Sequence, residues 1–331
     1  IRTMSAEFAD AYAYCNSRTG DVLRLACAVD GSRVSHKALD LSLHLTNVSR
    51  GDTLDLLHVV EASAPSHLRP EHVMNECDLQ TSTAGVQADF HRLSKSPGET
   101  VTAVLAKGAA AYRADLLVVG AIGLRIEQGN VHAHGESFSV TGSVSDGTRS
   151  EPHGEPNPNP TKEEMNPKKF STLYPAPSNA GSLQRSDVST CIVKSTSRKV
   201  TPSAGKTILV ATDDSPSARL AFALVVTKLA NRGKDLVHVY TNSDNLDHVE
   251  TMLKKYAEAC ADLGLECKTY ADRDRRTNVA DNILKRAETV EADVLVVGTN
   301  GHAGESILGS VSRRCAQTSR CTTIVVKDPR M

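Results

Sequence analysis

Residues 209–217 read Leu-Val-Ala-Thr-Asp-Asp-Ser-Pro-Ser, an apolar run that ends in an acidic pair. Ser215 suits the N-cap of a helix, because its hydroxyl can accept a backbone N–H of the first turn. Pro216 suits the first helical position, where the missing N–H costs nothing. The stretch therefore predicts a buried strand that passes directly into a helix, which is the basic unit of α/β folds.

The same unit occurs twice along the chain. Residues 25–32 read Leu-Ala-Cys-Ala-Val-Asp-Gly-Ser, so Asp30 corresponds to Asp213. Further segments recur at nearly the same displacement, and together they predict two copies of one domain. They are Leu57–Val59 with Val237–Val239, Gly85–Ala88 with Gly264–Cys267, and Ala114–Gly120 with Ala292–Gly298.

Both copies alternate strand and helix signals. Continuous apolar runs such as Leu116–Val119 are typical of parallel strands that are covered on both faces. We predict an α/β fold with two copies of a doubly wound, mainly parallel five-stranded sheet of Rossmann-like order 3-2-1-4-5. The predicted boundaries are an N-terminal extension over 1–20, a first copy over 21–145 and 188–197, and a second copy over 206–328.

A proline-rich insertion interrupts the first copy over residues 146–187. It holds seven of the 13 prolines and almost no apolar periodicity, so it cannot offset its ordering entropy and should be disordered. After it, Cys191–Lys194 matches Val325–Lys327 at the end of the second copy, which places the insertion ahead of the last strand of the first copy. Because an apolar edge strand needs a partner, we expect the two last strands, Cys191–Lys194 and Thr323–Lys327, to pair within one chain.

Two polar features stand where neighbouring strands of the predicted sheet end. Asp213 follows the first strand of the second copy, and Gly298-Thr-Asn-Gly301 follows its fourth strand, ahead of Gly309-Ser310 at the start of the last helix. In the predicted order these two strands flank the switch point, where doubly wound sheets bind ligands. Glycine backbone N–H groups and a helix N-terminus suit a phosphate, and a carboxylate suits an adenine amino group or a ribose hydroxyl. The combination favours a nucleotide.

These motifs resemble those of tandem universal stress proteins. The shared features are Asp-x-Ser after strand 1, His-Val on strand 2, an Ala-Asp-apolar run ending in Gly, a glycine loop, and a last strand ending in Val-Val-Lys. The resemblance covers both copies and implies a stress or signalling protein that binds ATP or another adenine nucleotide, with Mg²⁺ only where phosphates are bound. Carried over by position, it implies nucleotide contacts at Asp213, Val239, Gly298, Gly301, Gly309 and Ser310, and in the first copy at Asp30, Val59, Gly120, Gly123, Gly142 and Ser143.

Both glycine loops depart from the family pattern, in which nine residues separate the second and third glycines. Seven residues lie between Gly301 and Gly309, and eighteen lie between Gly123 and Gly142. The shorter loop would turn the following helix by about 200° if it did not absorb the difference. We therefore expect adenine to be recognised more readily than the phosphates.

Several of these residues also have a purely structural explanation. Glycines after a parallel strand can simply form the tight turn of an α/β unit, and Asp30 and Asp213 can cap the first helix of each copy. His58 and His238 lie within apolar strands, so we expect them to be core residues. Metal binding by His132-x-His134 lacks a third ligand. Three arginines near the end of the sequence could contact phosphates or form a solvated helix face. They are Arg313, Arg314 and Arg320.

Composition argues against several other partners. The 38 basic and 39 acidic side chains leave a net charge of -1, and aromatic residues make up only 4 % with no Trp, so we expect no nucleic-acid binding. No apolar run approaches the roughly 18 residues that span a bilayer, and the eight scattered cysteines favour reduced thiols. We predict a cytoplasmic protein. Because the sequence opens on Ile1, we expect earlier residues to be missing or removed, and an upstream targeting segment stays open.

We predict nucleotide binding without committed catalysis. No Lys or Arg between Gly298 and Ser310 could neutralise a transferring phosphate, although slow ATP hydrolysis stays open. The alternative is a scaffold that binds no nucleotide and recognises a protein partner through the proline-rich insertion. A phosphorelay receiver is disfavoured, because Gly31 stands where the acidic pair of such a site is required.

Overall fold

The computed structural model describes residues 6–60, 69–121, 188–198, 205–243, 246–273, 278–299 and 309–328. The predicted insertion over 146–187 lies outside these residues, as do Gly123, Gly142, Ser143, Gly301 and the His132-x-His134 motif.

The first copy follows an N-terminal helix, α1 (Ala6–Thr19). Its strands are β1 (Arg24–Ala28), β2 (Thr53–Val60), β3 (Asp89–Ser94), β4 (Leu116–Gly120) and β5 (Ser189–Val193). Its helices are α2 (Arg33–Leu45), α3 (Pro70–Ala84) and α4 (Val101–Ala111), with a 3₁₀ turn over Val48–Arg50.

The second copy repeats the alternation. Its strands are β6 (Thr207–Ala211), β7 (Leu236–Asn242), β8 (Glu266–Asp272), β9 (Val294–Gly298) and β10 (Thr322–Val326). Its helices are α5 (Pro216–Leu224), α6 (Leu246–Asp262), α7 (Val279–Thr289) and α8 (Ser310–Thr318), with a π-helical turn over Val225–Leu229 after α5.

All ten strands form one sheet in the order β3-β2-β1-β4-β5-β10-β9-β6-β7-β8. Strands are parallel within each copy, and each half has the predicted order 3-2-1-4-5. Strand β10 pairs antiparallel with β5, with Ile324 opposite Cys191. The predicted fold class is therefore confirmed, and the two last strands pair within the chain as expected.

The first helix of each copy begins at the predicted serine. The Ser32 hydroxyl accepts the Ser35 N–H at 3.0 Å, and Ser215 accepts the Ala218 N–H at 3.4 Å, with Pro216 at the first helical position. In the second copy this helix has two parts. Its α-helical part ends at Leu224 and continues as the π-helical turn.

Lysines join the two copies at their shared boundary. Lys194, directly after β5, donates from Nζ to the carbonyls of Ala316 at 2.5 Å and Gln317 at 3.2 Å, at the end of α8. Buried Lys228, after α5, reaches the Asp115 carboxylate of the first copy at 3.1 Å. A cation at a helix C-terminus and a buried ion pair thus add polar contacts to the strand pairing.

Helix α1 belongs to the core, although its residues precede the first copy. The side chains of Phe8, Ala11, Tyr12 and Cys15 are buried, and their spacing of three and four residues places them on one helical face. This face packs on α5 of the second copy. A helix next to the first copy in sequence therefore lies on the other copy. The spacing of its apolar residues indicates an amphipathic helix but not the copy on which the helix packs.

Helices cover both faces of the sheet. All eight cysteines are free thiols, and six of them are buried. Among the residues that the structure describes, no helix is long and apolar enough to cross a membrane. Within the same described ranges, no group of three or more His, Cys, Asp or Glu side chains is placed to hold a metal ion.

Candidate functional site

The candidate site lies where β6 and β9 end side by side. These strands are parallel neighbours, with Ala211 paired to Val297. Asp213 follows β6, and Gly298 is the last residue of β9. Thr299, directly after β9, accepts the Gly309 N–H at its carbonyl at 2.7 Å, and Gly309 directly precedes α8. The structure therefore brings Asp213 and the start of α8 to the same edge of the sheet.

The two aspartates make the same contact in both copies. Oδ1 of Asp213 accepts the Ser215 N–H at 3.0 Å, and Oδ1 of Asp30 accepts the Ser32 N–H at 2.9 Å. Each carboxylate thus holds the serine that caps the following helix. Asp213 is exposed and Asp30 is half-buried, so the capping role leaves the Asp213 side chain accessible to a ligand.

Asp214 is held in an uncommon backbone conformation beside Asp213. Its φ is +61°, in the left-handed region that disfavours residues other than glycine. The Arg219 guanidinium donates to both carboxylate oxygens at 2.9 and 2.6 Å, and the Tyr256 hydroxyl donates to Oδ1 at 3.1 Å. Burial opposes ionisation, but the Arg219 hydrogen bond and charge outweigh it and lower the pKa of Asp214.

The glycine that ends β9 is required by packing, and the one that ends β4 is closely approached by α2. A Cβ on Gly298 would lie 2.8 Å from the backbone carbon of Ser217 and 2.9 Å from the Ala218 nitrogen, and one on Gly120 would lie 3.2 Å from the backbone carbon of Val34. Each glycine therefore lets the first helix of its copy start close against the strand. This explanation holds with or without a ligand.

The first turn of α8 is fixed by a buried serine. The Ser312 hydroxyl lies 2.9 Å from the Thr299 carbonyl and 3.0 Å from the Gly309 carbonyl, while Ser310 is exposed at the helix start. The N-cap residue Gly309 provides no side-chain cap for the first N–H groups of α8.

Two of the three arginines near α8 form ion pairs with α7. Arg314 donates to both oxygens of Asp281 at 2.8 and 3.0 Å, and Arg320 lies 3.7 Å from Glu288. These contacts account for both side chains without a phosphate. Arg313 is exposed on α8.

The second strands of the two copies align differently from the sequence prediction. The Val29 N–H donates to the Leu57 carbonyl, and the Thr212 N–H donates to the Tyr240 carbonyl. Leu57 therefore corresponds to Tyr240, and the pairing of His58-Val59 with His238-Val239 is wrong by three residues. An odd shift along a strand moves every side chain to the opposite face of the sheet.

This register changes one candidate contact. Val239 is fully buried in the core on the face of α5 and α6, whereas half-buried Val59 packs on the opposite face. The residue that matches Val59 is Asn242, at the carboxyl end of β7. Its buried Nδ2 has no hydrogen-bond partner among the described residues. Sequence spacing missed Asn242 because the His-Val pair gave a misleading match.

The two strand histidines are buried, as expected for core residues. His58 Nδ1 lies 2.9 Å from the Val29 carbonyl. The His238 ring stacks on Tyr270 with centroids 5.4 Å apart, and neither of its nitrogens has a hydrogen-bond partner among the described residues.

The corresponding edge of the first copy is only partly described. Asp30, Val59 and Gly120 lie at the carboxyl ends of β1, β2 and β4. Because β5 and β10 are antiparallel, the carboxyl edges of the two copies point in opposite directions. The two candidate sites therefore lie at opposite edges of the continuous sheet.

Comparison with solved structures finds the same fold over almost the whole chain. A universal stress protein from Archaeoglobus fulgidus is 17 % identical, with a TM-score of 0.54 over 92 % of this chain and 98 % of its own. A putative universal stress protein from Pseudomonas aeruginosa is 15 % identical, with a TM-score of 0.53 over 98 % of this chain and 96 % of its own. An Arabidopsis thaliana universal stress protein family protein with AMP bound is 20 % identical, with a TM-score of 0.31, and covers 38 % of this chain and 99 % of its own.

No curated protein matches the chain. The model of the universal stress protein family matches twice, over residues 23–146 and 205–327, which together make up more than half of the sequence. These two ranges contain nine of the ten strands of the sheet described above, and β5 (Ser189–Val193) lies between them. The chain therefore belongs to the universal stress protein family.

Proposed function

We propose that the second copy binds an adenine nucleotide in the crevice between the ends of β6 and β9. The observation that carries this proposal is the common edge of an exposed carboxylate, Asp213, and the start of α8, whose N-cap residue Gly309 has no capping side chain. A carboxylate accepts hydrogen bonds from an adenine amino group or a ribose hydroxyl, and helix N–H groups attract a phosphate. One crevice thus offers groups suited to both ends of a nucleotide.

The residues divide between the two ends of the ligand. Asp213 would accept a hydrogen bond from the base or the sugar. We propose Asn242 in place of Val239 as the contact from the second strand, because Asn242 lies at the strand end in register with Val59. Gly298, Gly301, Gly309 and Ser310 would face the sugar and phosphates. Mg²⁺ would enter only with bound phosphates.

The first copy is a second candidate site for the same class of ligand. It offers Asp30, Val59 and Gly120, and its other proposed contacts are Gly123, Gly142 and Ser143. Because the two edges are opposed, we propose that the copies bind nucleotide independently, with at most two nucleotides per chain.

The proposed role is binding in a stress or signalling pathway of the cytoplasm rather than fast catalysis. Between Gly298 and Ser310 the sequence has His302 and Glu305 but no Lys or Arg. A site that transfers phosphate rapidly needs positive charge where the transition state gains negative charge. We therefore expect retention of bound nucleotide with slow hydrolysis at most.

Titration calorimetry with ATP, ADP and AMP tests the proposal on Asp213→Ala and Asp213→Asn. The Asn variant keeps an oxygen that can accept the Ser215 N–H, so it separates helix capping from ligand recognition. Losing a charge-assisted hydrogen bond should cost about 1.5–3 kcal/mol, which weakens binding roughly 10- to 150-fold. Both variants should lose affinity in the same range.

Circular dichroism must show that the variants stay folded. Unchanged dissociation constants in both variants would remove Asp213 from the site. A wild-type protein that takes up none of the three nucleotides would instead favour a scaffold that acts through residues 146–187.

A further inference from the structure

A cluster of three aromatic rings joins the N-terminal helix to the second copy. Phe8 of α1 lies 4.8 Å from Tyr256 of α6 and 5.3 Å from Phe222 of α5, measured between ring centroids. Phe222 and Tyr256 are 4.6 Å apart and meet edge to face at 70°. All three rings are at most 1 % exposed. The position of the Tyr256 ring therefore depends on the packing of α1.

The Tyr256 hydroxyl leaves this cluster and reaches the candidate site. It lies 2.8 Å from Thr212 Oγ1 and donates to Asp214 Oδ1 at 3.1 Å. Thr212 Oγ1 in turn accepts the Asp214 N–H at 3.0 Å. Asp213 lies between these two residues, so Tyr256 holds the turn on both sides of it.

The turn at Asp214 needs stabilising side-chain contacts that the corresponding turn of the first copy does not need. Asp214 has a φ of +61°, whereas the same position in the first copy is Gly31, with a φ of +77°. Glycine adopts this conformation readily, but another residue needs contacts that stabilise it. When α3 and α6 are aligned on the glycines that follow them, Cys77 occupies the position of Tyr256. This stabilising contact is therefore specific to the second copy.

We propose that Tyr256 is a positioning residue for the nucleotide site of the second copy, and that docking of α1 sets its position. The proposal rests on the proposed function of that site and adds its regulation. Undocking of α1 would release the Tyr256 ring, loosen the turn over residues 212–215 and weaken the nucleotide affinity of the second copy. The first copy would keep its affinity.

Three variants test this proposal, each made with Asp30→Ala so that the binding heat reports on the second copy. Tyr256→Phe removes the hydroxyl and keeps the ring. Phe8→Ala removes the ring of α1 that holds it. Tyr12→Phe is the matched control, because the buried Tyr12 hydroxyl on the same helix has no hydrogen-bond partner among the described residues.

We expect Tyr256→Phe and Phe8→Ala to raise the dissociation constant for ATP or AMP about five- to tenfold and Tyr12→Phe to leave it unchanged. Hydrogen exchange at the Asp214 amide should accelerate in the first two variants, while exchange at the Val29 amide of the first copy, which donates to the Leu57 carbonyl, should not. A merely structural role of Phe8 would accelerate both amides together.

An unchanged affinity in Tyr256→Phe, or an unchanged Asp214 exchange rate, would overturn the proposal. Faster Asp214 exchange in Phe8→Ala with an unaltered dissociation constant would overturn the claim that docking of α1 regulates the site. If the parent protein binds no nucleotide, the proposed function fails, and the exchange rates still decide whether α1 and Tyr256 hold the turn.

Discussion

At the scale of single residues, His238 should make the protein sensitive to mild acid. Burial lowers the pKa of His238, and the charges of Lys268 and Arg286 act in the same direction against that of Glu266. The unfolded chain therefore takes up a proton first, so stability is lost as the pH falls below about 6.5. His238→Phe keeps the stack on Tyr270, and it should raise the melting temperature at pH 5 by about 2–6 °C.

The same variant should melt within a degree or two of the parent at pH 7.5, where the histidine is neutral in both states. His44 is expected to add to the acid sensitivity, because burial lowers its pKa to about 4. A double variant with His44→Phe should therefore depend still less on pH. An equal effect of His238→Phe at both pH values would exclude protonation as the cause.

At the scale of secondary-structure elements, Lys194 should stabilise α8 across the boundary between the copies. Its ammonium group caps the last carbonyls of that helix. Lys194→Met keeps most of the apolar stem and should cost about 1–2 kcal/mol of unfolding free energy, or about 2–8 °C in melting temperature.

Lys254→Met is the matched control for this change. Lys254 is an exposed residue 3.8 Å from Glu258 on α6, and such surface pairs contribute about 0–1 kcal/mol. Chemical unfolding monitored by circular dichroism compares the two variants. Equal losses of stability would show that the contact of Lys194 across the boundary contributes no more stability than the surface ion pair of Lys254.

At the scale of the whole molecule, the chain should be a monomer. Strand β10 is paired on both sides, with β5 and with β9, so neither last strand offers a free edge to a second chain. We expect sedimentation equilibrium at micromolar concentration to give a mass near 35.4 kDa. A mass of twice this value that disappears in Val325→Pro would show that the last strands pair between chains.

Much of this fold follows from local signals in the sequence. Apolar runs, the Ser215-Pro216 helix start and the recurrence of the Asp30 motif at Asp213 predict the α/β class, the two copies and the strand order. The return of Cys191–Lys194 places the insertion before β5. These features are local or repeated, so they can be recognised in the sequence without knowing which segments contact each other in the fold. The same signals bring Asp213 and Gly298 to one edge, because the ends of neighbouring parallel strands are adjacent.

By itself, then, the sequence determined the class, the duplication and the edge at which the candidate site lies. Only the tertiary structure decided that Asn242 rather than Val239 corresponds to Val59, since register depends on hydrogen bonds between segments far apart in the chain. It also decided that α1 lies on the second copy, and that Tyr256 reaches Asp214. Such contacts depend on side chains meeting in space, and no spacing along one chain encodes which faces will meet.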